Sequence, residues 1–387
     1  MTDQPAGVPA SGIPAGGSAA SGAPAGGSAA SGAPAVGAGR QSGTSARRIV
    51  GLVGAENLSL LIALAILVLL IASQSNKFFL SQNLLNIGQN ISVVGLVAVG
   101  ETIIIVAGML DISVGSIAGV ASVVAALVLL GSGDVVGGSG LAVSAGNAPL
   151  AVAGGVLAGL LLGLVNGFII TALRVNAVIA TLATLSAFRG LAFLIAPEGK
   201  PVTVLNQSFI SLGTGRLELI PGWPIPISLL VLLAVAIGFA VLMRYMDFGR
   251  AVYALGGNPA AARLAGIHVT RLKLSIYALS GAAAGMAGII LTARTNSGQP
   301  ASGSQGLELE AITAVFLGGA SLQGGRGTIA GTMLAVVLIG ALSNGMNLLG
   351  IPTFYQLVAK GALLVVAVAI SQWRQARAER ARTRVAA

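Results

Sequence analysis

Ten runs of mostly apolar residues, most of them about 20 long, dominate this 387-residue sequence. A helix needs about 20 apolar residues to cross the ~30 Å hydrocarbon core of a bilayer. The runs lie at 51–73, 84–107, 113–131, 151–172, 177–196, 226–243, 274–292, 309–323, 328–349 and 354–372. Only 8% of residues are charged, whereas a soluble domain carries about 25%. The expectation is an all-α, polytopic helical membrane protein of about ten transmembrane helices; a water-soluble enzyme is excluded. The eighth run is short enough to be re-entrant. The second holds Glu101 and ends at a polar turn around Asp111.

The missing chemistry narrows the function. There is no cysteine and one histidine, His268, so thiolate catalysis and Cys- or His-clustered metal sites are excluded. None of the four lysines, Lys77, Lys200, Lys273 and Lys360, stands in a GxxxxGK[ST] motif, so the chain has no P-loop of its own. It is read as a non-enzyme that binds no cofactor itself.

Residues 1–48 are a different material: a ten-residue Gly/Ala/Ser/Pro repeat without aromatic residues. Such a segment cannot bury enough surface to offset its ordering entropy and is expected to be a disordered tail. Residues 49–373 form the membrane domain, with a loop at 244–273, and 374–387 form a basic tail.

The basic residues set the orientation. With the N-terminus inside, fifteen Lys and Arg residues fall on the cytoplasmic side, including Arg47, Arg48, Arg244, Arg271 and the C-terminal arginines. Four fall outside: Lys77, Lys200, Arg216 and Arg294. Both termini are therefore expected in the cytoplasm. The same asymmetry accounts for the net charge of +10 without a nucleic-acid partner.

Residues 153–163 echo 330–340 at an offset of 177, with six identities including Gly154/Gly331 and Gly163/Gly340. Under the topology above the two segments run in opposite directions, the mark of an inverted repeat. A shorter echo pairs 115–119 with 327–331.

In the loop, GGNPAAARLAG at 256–266 predicts a two-turn helix outside the membrane. Asn258 can cap it, Pro259 suits its first position, and Gly266 can end it in the left-handed conformation. A mostly alanine face suits a protein groove better than lipid.

Four stretches resemble the membrane permeases of bacterial ABC importers, in the ribose-type branch of the branched-chain amino acid and ribose permease family. They are GETIIIVAGMLDISVGSIAG (100–119), NAVIATLATLSAFRGLA (176–192), the loop and following span (249–288), and 297–332 continued by 344–368. Glu310 and Met109-Leu110 depart mildly from the family pattern. The resemblance implies a cobalamin-importer-like (type II) architecture and two permease subunits around a pathway. It also implies a separate ATPase that binds ATP and Mg, and a soluble sugar-binding protein outside. The plasma (inner) membrane is the implied location. The loop helix would couple to the ATPase through Arg250, Gly256, Asn258, Pro259, Arg263 and Gly266.

For the translocation pathway the sequence offers Asn90, Glu101, Asp111, Thr184, Arg189 and Asn344. An ionisable residue inside a span costs about 2.5–3.5 kcal/mol on insertion scales and needs a partner or water. Glu101 reads as a pathway wall, or as a boundary residue beside a break at Gly100. Asp111 reads as a cap for the next helix, or as a gate. Arg189 and Lys360 read as partners for buried groups or as snorkelling side chains. Glu308 and Glu310 suit a helix N-terminus. Gly281, Gly285 and Gly288 share one helix face and read as a packing surface. Outside the importer reading stand an ion-gradient-driven transporter, for which Glu101 is the one strong candidate, and an intramembrane enzyme, for which no residue set exists. Within the family, amino acids and nucleosides are the other substrate classes.

Overall fold

The computed structural model describes residues 55–131, 147–300 and 305–386; the expected tail at 1–48 lies outside them. Thirteen α-helices follow in order: α1 Ala55–Gln74, α2 Ser81–Val106, α3 Val114–Leu130, α4 Ala148–Ala172, α5 Ala177–Ile195, α6 Gln207–Thr214, α7 Ile227–Tyr245, α8 Asp247–Gly257, α9 Pro259–Leu264, α10 Val269–Thr295, α11 Leu307–Leu317, α12 Ile329–Leu348 and α13 Thr353–Ala386. Two small antiparallel pairings complete the order. Strand β1 Val202–Thr203 pairs with β4 Ser297–Gly298, and β2 Arg216–Ile220 with β3 Trp223–Pro226.

Eight of the helices are long and apolar enough to cross a membrane: α1, α2, α4, α5, α7, α10, α12 and the part of α13 up to Trp373. The other two expected spans are shorter. α3 has 17 residues and α11 has 11, only about 16 Å at 1.5 Å per residue. The chain is an all-α polytopic membrane protein. The basic segment from 374 onward continues α13 as helix.

Four helix starts carry a polar side chain that takes up their free amides. Asn147 accepts from Leu150 N, Asn176 from Val178 N, Asn206 from Phe209 N and Thr328 from Gly331 N, all within 2.9–3.3 Å. Glu101 does not break α2, which runs through it. Gly100 is needed for a close approach instead: a Cβ there would lie 2.9 Å from Ser280 Oγ on α10.

α2, α10 and α12 are mostly buried, whereas α1 and α13 bury only 11% of their apolar windows and turn Leu69, Phe354 and Val358 outward. At the centre, Gly155, Gly159 and Gly163 of α4 face Gly281 and Gly285 of α10. A Cβ on Gly159 would sit 2.8 Å from Gly285 Cα, so the two backbones are in direct contact. Lipid offers no hydrophobic drive between helices, and such close small-residue faces supply the packing. Across the same bundle Ser122 Oγ and Thr292 Oγ1 share a 2.6 Å hydrogen bond.

Candidate functional site

Helix polarity gives the bundle two ends. At the end holding the start of α2 and the close of α10, a cavity of about 230 Å³ lies between α2, α10, α11, α12 and α13. Its polar lining includes Asn90, Arg294, Glu310, Ser343, Gln356 and Lys360. Lys360 Nζ donates to Glu310 Oε1, tying α13 to α11, with both side chains about three-quarters buried. Gln356 Nε2 donates to Asn347 Oδ1 (2.9 Å) and Ile351 O (2.8 Å). Two residues before Glu310, in the same first turn of α11, Glu308 faces Arg189 of α5 at 3.9 Å. The short helix α11 is thus held on two sides by ion pairs at its N-terminus, where carboxylates also favour the helix dipole.

Nearer the opposite end a second polar group is sealed from the surroundings. Asp111, just after α2, is fully buried. Its Oδ1 accepts from Ser113 N (2.8 Å) and Ser113 Oγ (2.6 Å), and Oδ2 accepts from Asn166 Nδ2 of α4 (3.2 Å). Asn166 Nδ2 also donates to Ser113 Oγ at 2.7 Å. Asp111 therefore organises the turn into α3 rather than capping it; Ser113 holds the cap position and makes no side-chain cap bond. Glu101 is equally buried, yet neither carboxylate oxygen has a hydrogen-bond partner. Asp111 is its nearest polar neighbour, through both its backbone N–H and its carboxyl.

The eighth expected span, 309–323, is helical only as far as Leu317, so it is a broken span. From Gly318 the chain runs as irregular backbone to α12, with Ala320 and Ser321 buried. Here Gly325 N donates to Val106 O, the end of α2, at 2.8 Å. Gly324, at φ +83°, packs so that a Cβ would lie 2.7 Å from Gly108 N and 3.0 Å from Gly256 Cα. Tyr253 of α8 donates its hydroxyl to Gly327 O at 2.8 Å, and its half-buried phenol is held above its ordinary pKa by desolvation. α8 thus rests on the end of α2 and on the broken span.

Beyond α8 the loop turns into α9. Asn258 Oδ1 accepts from Ala260 N and Ala261 N, both at 3.0 Å, and Pro259 opens the helix. Ile267 N returns to Ala262 O (3.1 Å) around Gly266 at φ +83°, closing it in the left-handed manner. A six-residue helix has little intrinsic stability, so these caps define it. Ala262 is buried and anchors it; Arg263 is exposed, and Leu264, 91% exposed, is the most exposed large apolar side chain among the described residues. The face is thus not alanine alone.

The family model for the branched-chain amino acid transport system/permease component matches residues 83–368. The chain belongs to this permease family. Residues of this permease are 41% identical over 323 positions to the ribose import permease protein RbsC of Bacillus subtilis, covering 83% of this chain and 94% of that one. They are 39% identical over 319 positions to RbsC of Escherichia coli K12, covering 81% and 93%. They are 38% identical over 298 positions to the L-arabinose ABC transporter permease protein AraH of Azospirillum brasilense, covering 77% and 82%. No solved structure matches.

The sequence-predicted residues of the permease fall into separate places. Asn90 lines the cavity. Glu101 and Asp111 lie together near the other end. Arg189 reaches Glu308. Thr184 is buried on α5 with its hydroxyl on Thr181 O, and Asn344 is locked to Asn83; neither is in the cavity lining. On the loop, Pro259 and Arg263 lie in α9 and Asn258 and Gly266 flank it, whereas Arg250 pairs with Asp247 on the exposed side of α8 and Gly256 is pressed against Val106 O. Sequence reasoning left Arg294, Ser343 and Gln356 out of the site. A signal was present: Ser343/Asn347 and Gln356/Lys360 are each spaced i, i+4, one face of a helix apiece. It also gave no helix at α8, although Phe248, Val252 and Leu255 follow a helical period.

Proposed function

We propose that this permease is the membrane subunit of an ATP-binding-cassette importer that carries a monosaccharide of the pentose type into the cytoplasm. Relatives named for ribose import and L-arabinose transport, matched over most of their length, support the substrate class. The observation that carries the mechanism is α9, capped at both ends and presenting Arg263 and Leu264 outward between two spans. It is the coupling element that enters a groove on a separate ATPase, where ATP and Mg bind. ATP-driven closure of that partner pushes α9, and α8 passes the movement to the end of α2 and to the broken span. The α9 end is cytoplasmic, as are both termini, and the membrane is the plasma (inner) membrane. A soluble sugar-binding protein delivers substrate to the cavity end. Two permease subunits, identical or paralogous, flank the pathway in the type II arrangement with inverted repeats.

Detergent purification of the assembled transporter tests this. Wild-type chain brings down a stoichiometric ATPase and supports ATP-dependent sugar uptake. Leu264→Asp with Arg263→Ala loses both while still inserting in the membrane. Solute movement in vesicles of the chain alone, without ATP, overturns the reading in favour of an ion-driven carrier, for which the unpartnered Glu101 would be the observation.

A further inference from the structure

The cavity at the Asn90 end holds more hydrogen-bonding capacity than its own walls consume. The side chains of Asn90, Arg294 and Ser343 make no hydrogen bond or ion pair among the described residues. Gln356 uses its amide N–H groups and leaves its carbonyl oxygen open. Asn90, Arg294 and Ser343 are half-buried, so their polar groups face the cavity and can exchange its water for the hydroxyls of a solute. The same wall includes apolar surface at Ile91, Leu291 and Ile339.

Size and charge narrow the occupant. About 230 Å³ far exceeds the ~10–15 Å³ a single water needs and lies below the ~300–1,000 Å³ of pockets for drug-sized ligands. The two ionised groups that could hold a zwitterion, Glu310 and Lys360, are spent on each other. What remains is one guanidinium with its planar fork of donors, an amide, a hydroxyl and a carbonyl oxygen. That set matches adjacent hydroxyls, which both donate and accept, while the apolar wall matches the C–H face of a ring.

We propose that this cavity is a monosaccharide-binding chamber within the permease itself, with Arg294, Asn90, Ser343 and Gln356 holding the sugar hydroxyls and the Glu310–Lys360 pair closing its floor. Selectivity then resides in the membrane subunit as well as in the delivering protein. The inference rests on the importer reading, and it adds the site.

The natural absence of cysteine makes the test direct. Val94→Cys, a partly exposed lining position outside the sugar-holding set, is introduced as a reporter in the assembled transporter, and its labelling by a small thiol reagent is timed with D-ribose, L-arabinose or L-leucine present. A sugar is expected to slow labelling several-fold and leucine to leave it unchanged. Adding Arg294→Met or Gln356→Leu to the reporter is expected to remove the protection while the rate without sugar is kept, which shows that the cavity still forms. Labelling indifferent to every solute, in a transporter whose wild type imports sugar, overturns the chamber and leaves the importer standing. Protection by leucine and not by either sugar overturns the sugar assignment of chamber and importer together.

Discussion

Gly159 of α4 and Gly281 of α10 face each other so closely that neither tolerates a side chain, because a Cβ on either would collide with the other's carbonyl oxygen. Gly163 and Gly285 extend the contact by one turn on each helix. Replacing Gly159 or Gly281 by Leu is expected to cost at least the ~1–3 kcal/mol of overpacking, because only backbone, not flexible side chain, stands in the way. Gly190 and Gly238 have open space where a Cβ would go, and Gly190→Ala, inside α5, should hold or slightly raise stability. Thermal unfolding in detergent of the three variants checks the contrast.

Asn83 and Asn344 exchange two amide hydrogen bonds, at 2.8 and 3.0 Å, between α2 and α12. Asn83 also donates to Phe78 O. Asn344→Leu strands a buried amide and should lower stability by about 1–3 kcal/mol. Asn83→Leu should do the same, and the double variant should recover part of the loss, since replacing both partners leaves nothing unpaired. Additive losses in the double-mutant cycle would contradict the pairing.

The all-helical membrane class, the loop helix and its caps were legible in the sequence because each follows from local chemistry: apolar length, an Asn-Pro start, a Gly stop. The count of ten spans was not, because apolar length alone does not show that α11 stops at Leu317. The glycine face of α10 was legible for the same reason. Its partner on α4 was not, because a single sequence shows that a surface is small and not what it meets. The ion pairs were hidden in the same way. Glu308, Glu310, Arg189 and Lys360 were each visible as charges near spans, but which acid meets which base depends on how α5 and α13 pack against α11. Asp111 shows the converse limit. Its spacing to the next helix fits a cap, yet the neighbouring Ser113 and the distant Asn166 take its oxygens first.

The two buried carboxyls should respond oppositely to removal. Asp111 accepts three donors of normal length, so Asp111→Ala orphans Ser113 and Asn166 and is expected to cost roughly 1–3 kcal/mol. Glu101 satisfies no partner, and an uncompensated buried acid is a liability that an uncharged isostere relieves. Glu101→Gln should therefore hold or raise the melting temperature. If its uptake falls while its stability does not, Glu101 is retained for transport; unchanged uptake would remove it from the pathway.

The contact between α8 and the broken span is predicted to be where force enters the membrane domain. Gly256 is the critical point: a Cβ there would run into Val106 O and lie 2.5 Å from Gly325 N, the two atoms that hydrogen-bond across the junction. Gly257, one residue on, has open space. Gly256→Ala must push α8 away from the end of α2, so it is expected to abolish ATP-driven uptake while the ATPase still co-purifies through α9. Gly257→Ala should transport normally. Tyr253→Phe removes only the bond to Gly327 O, a loss of about 0.5–1.5 kcal/mol, and should slow uptake without stopping it. Uptake and ATP hydrolysis measured together decide the matter. Hydrolysis that persists without transport in Gly256→Ala places the break between α8 and α2, whereas full transport in that variant would show that coupling bypasses the junction.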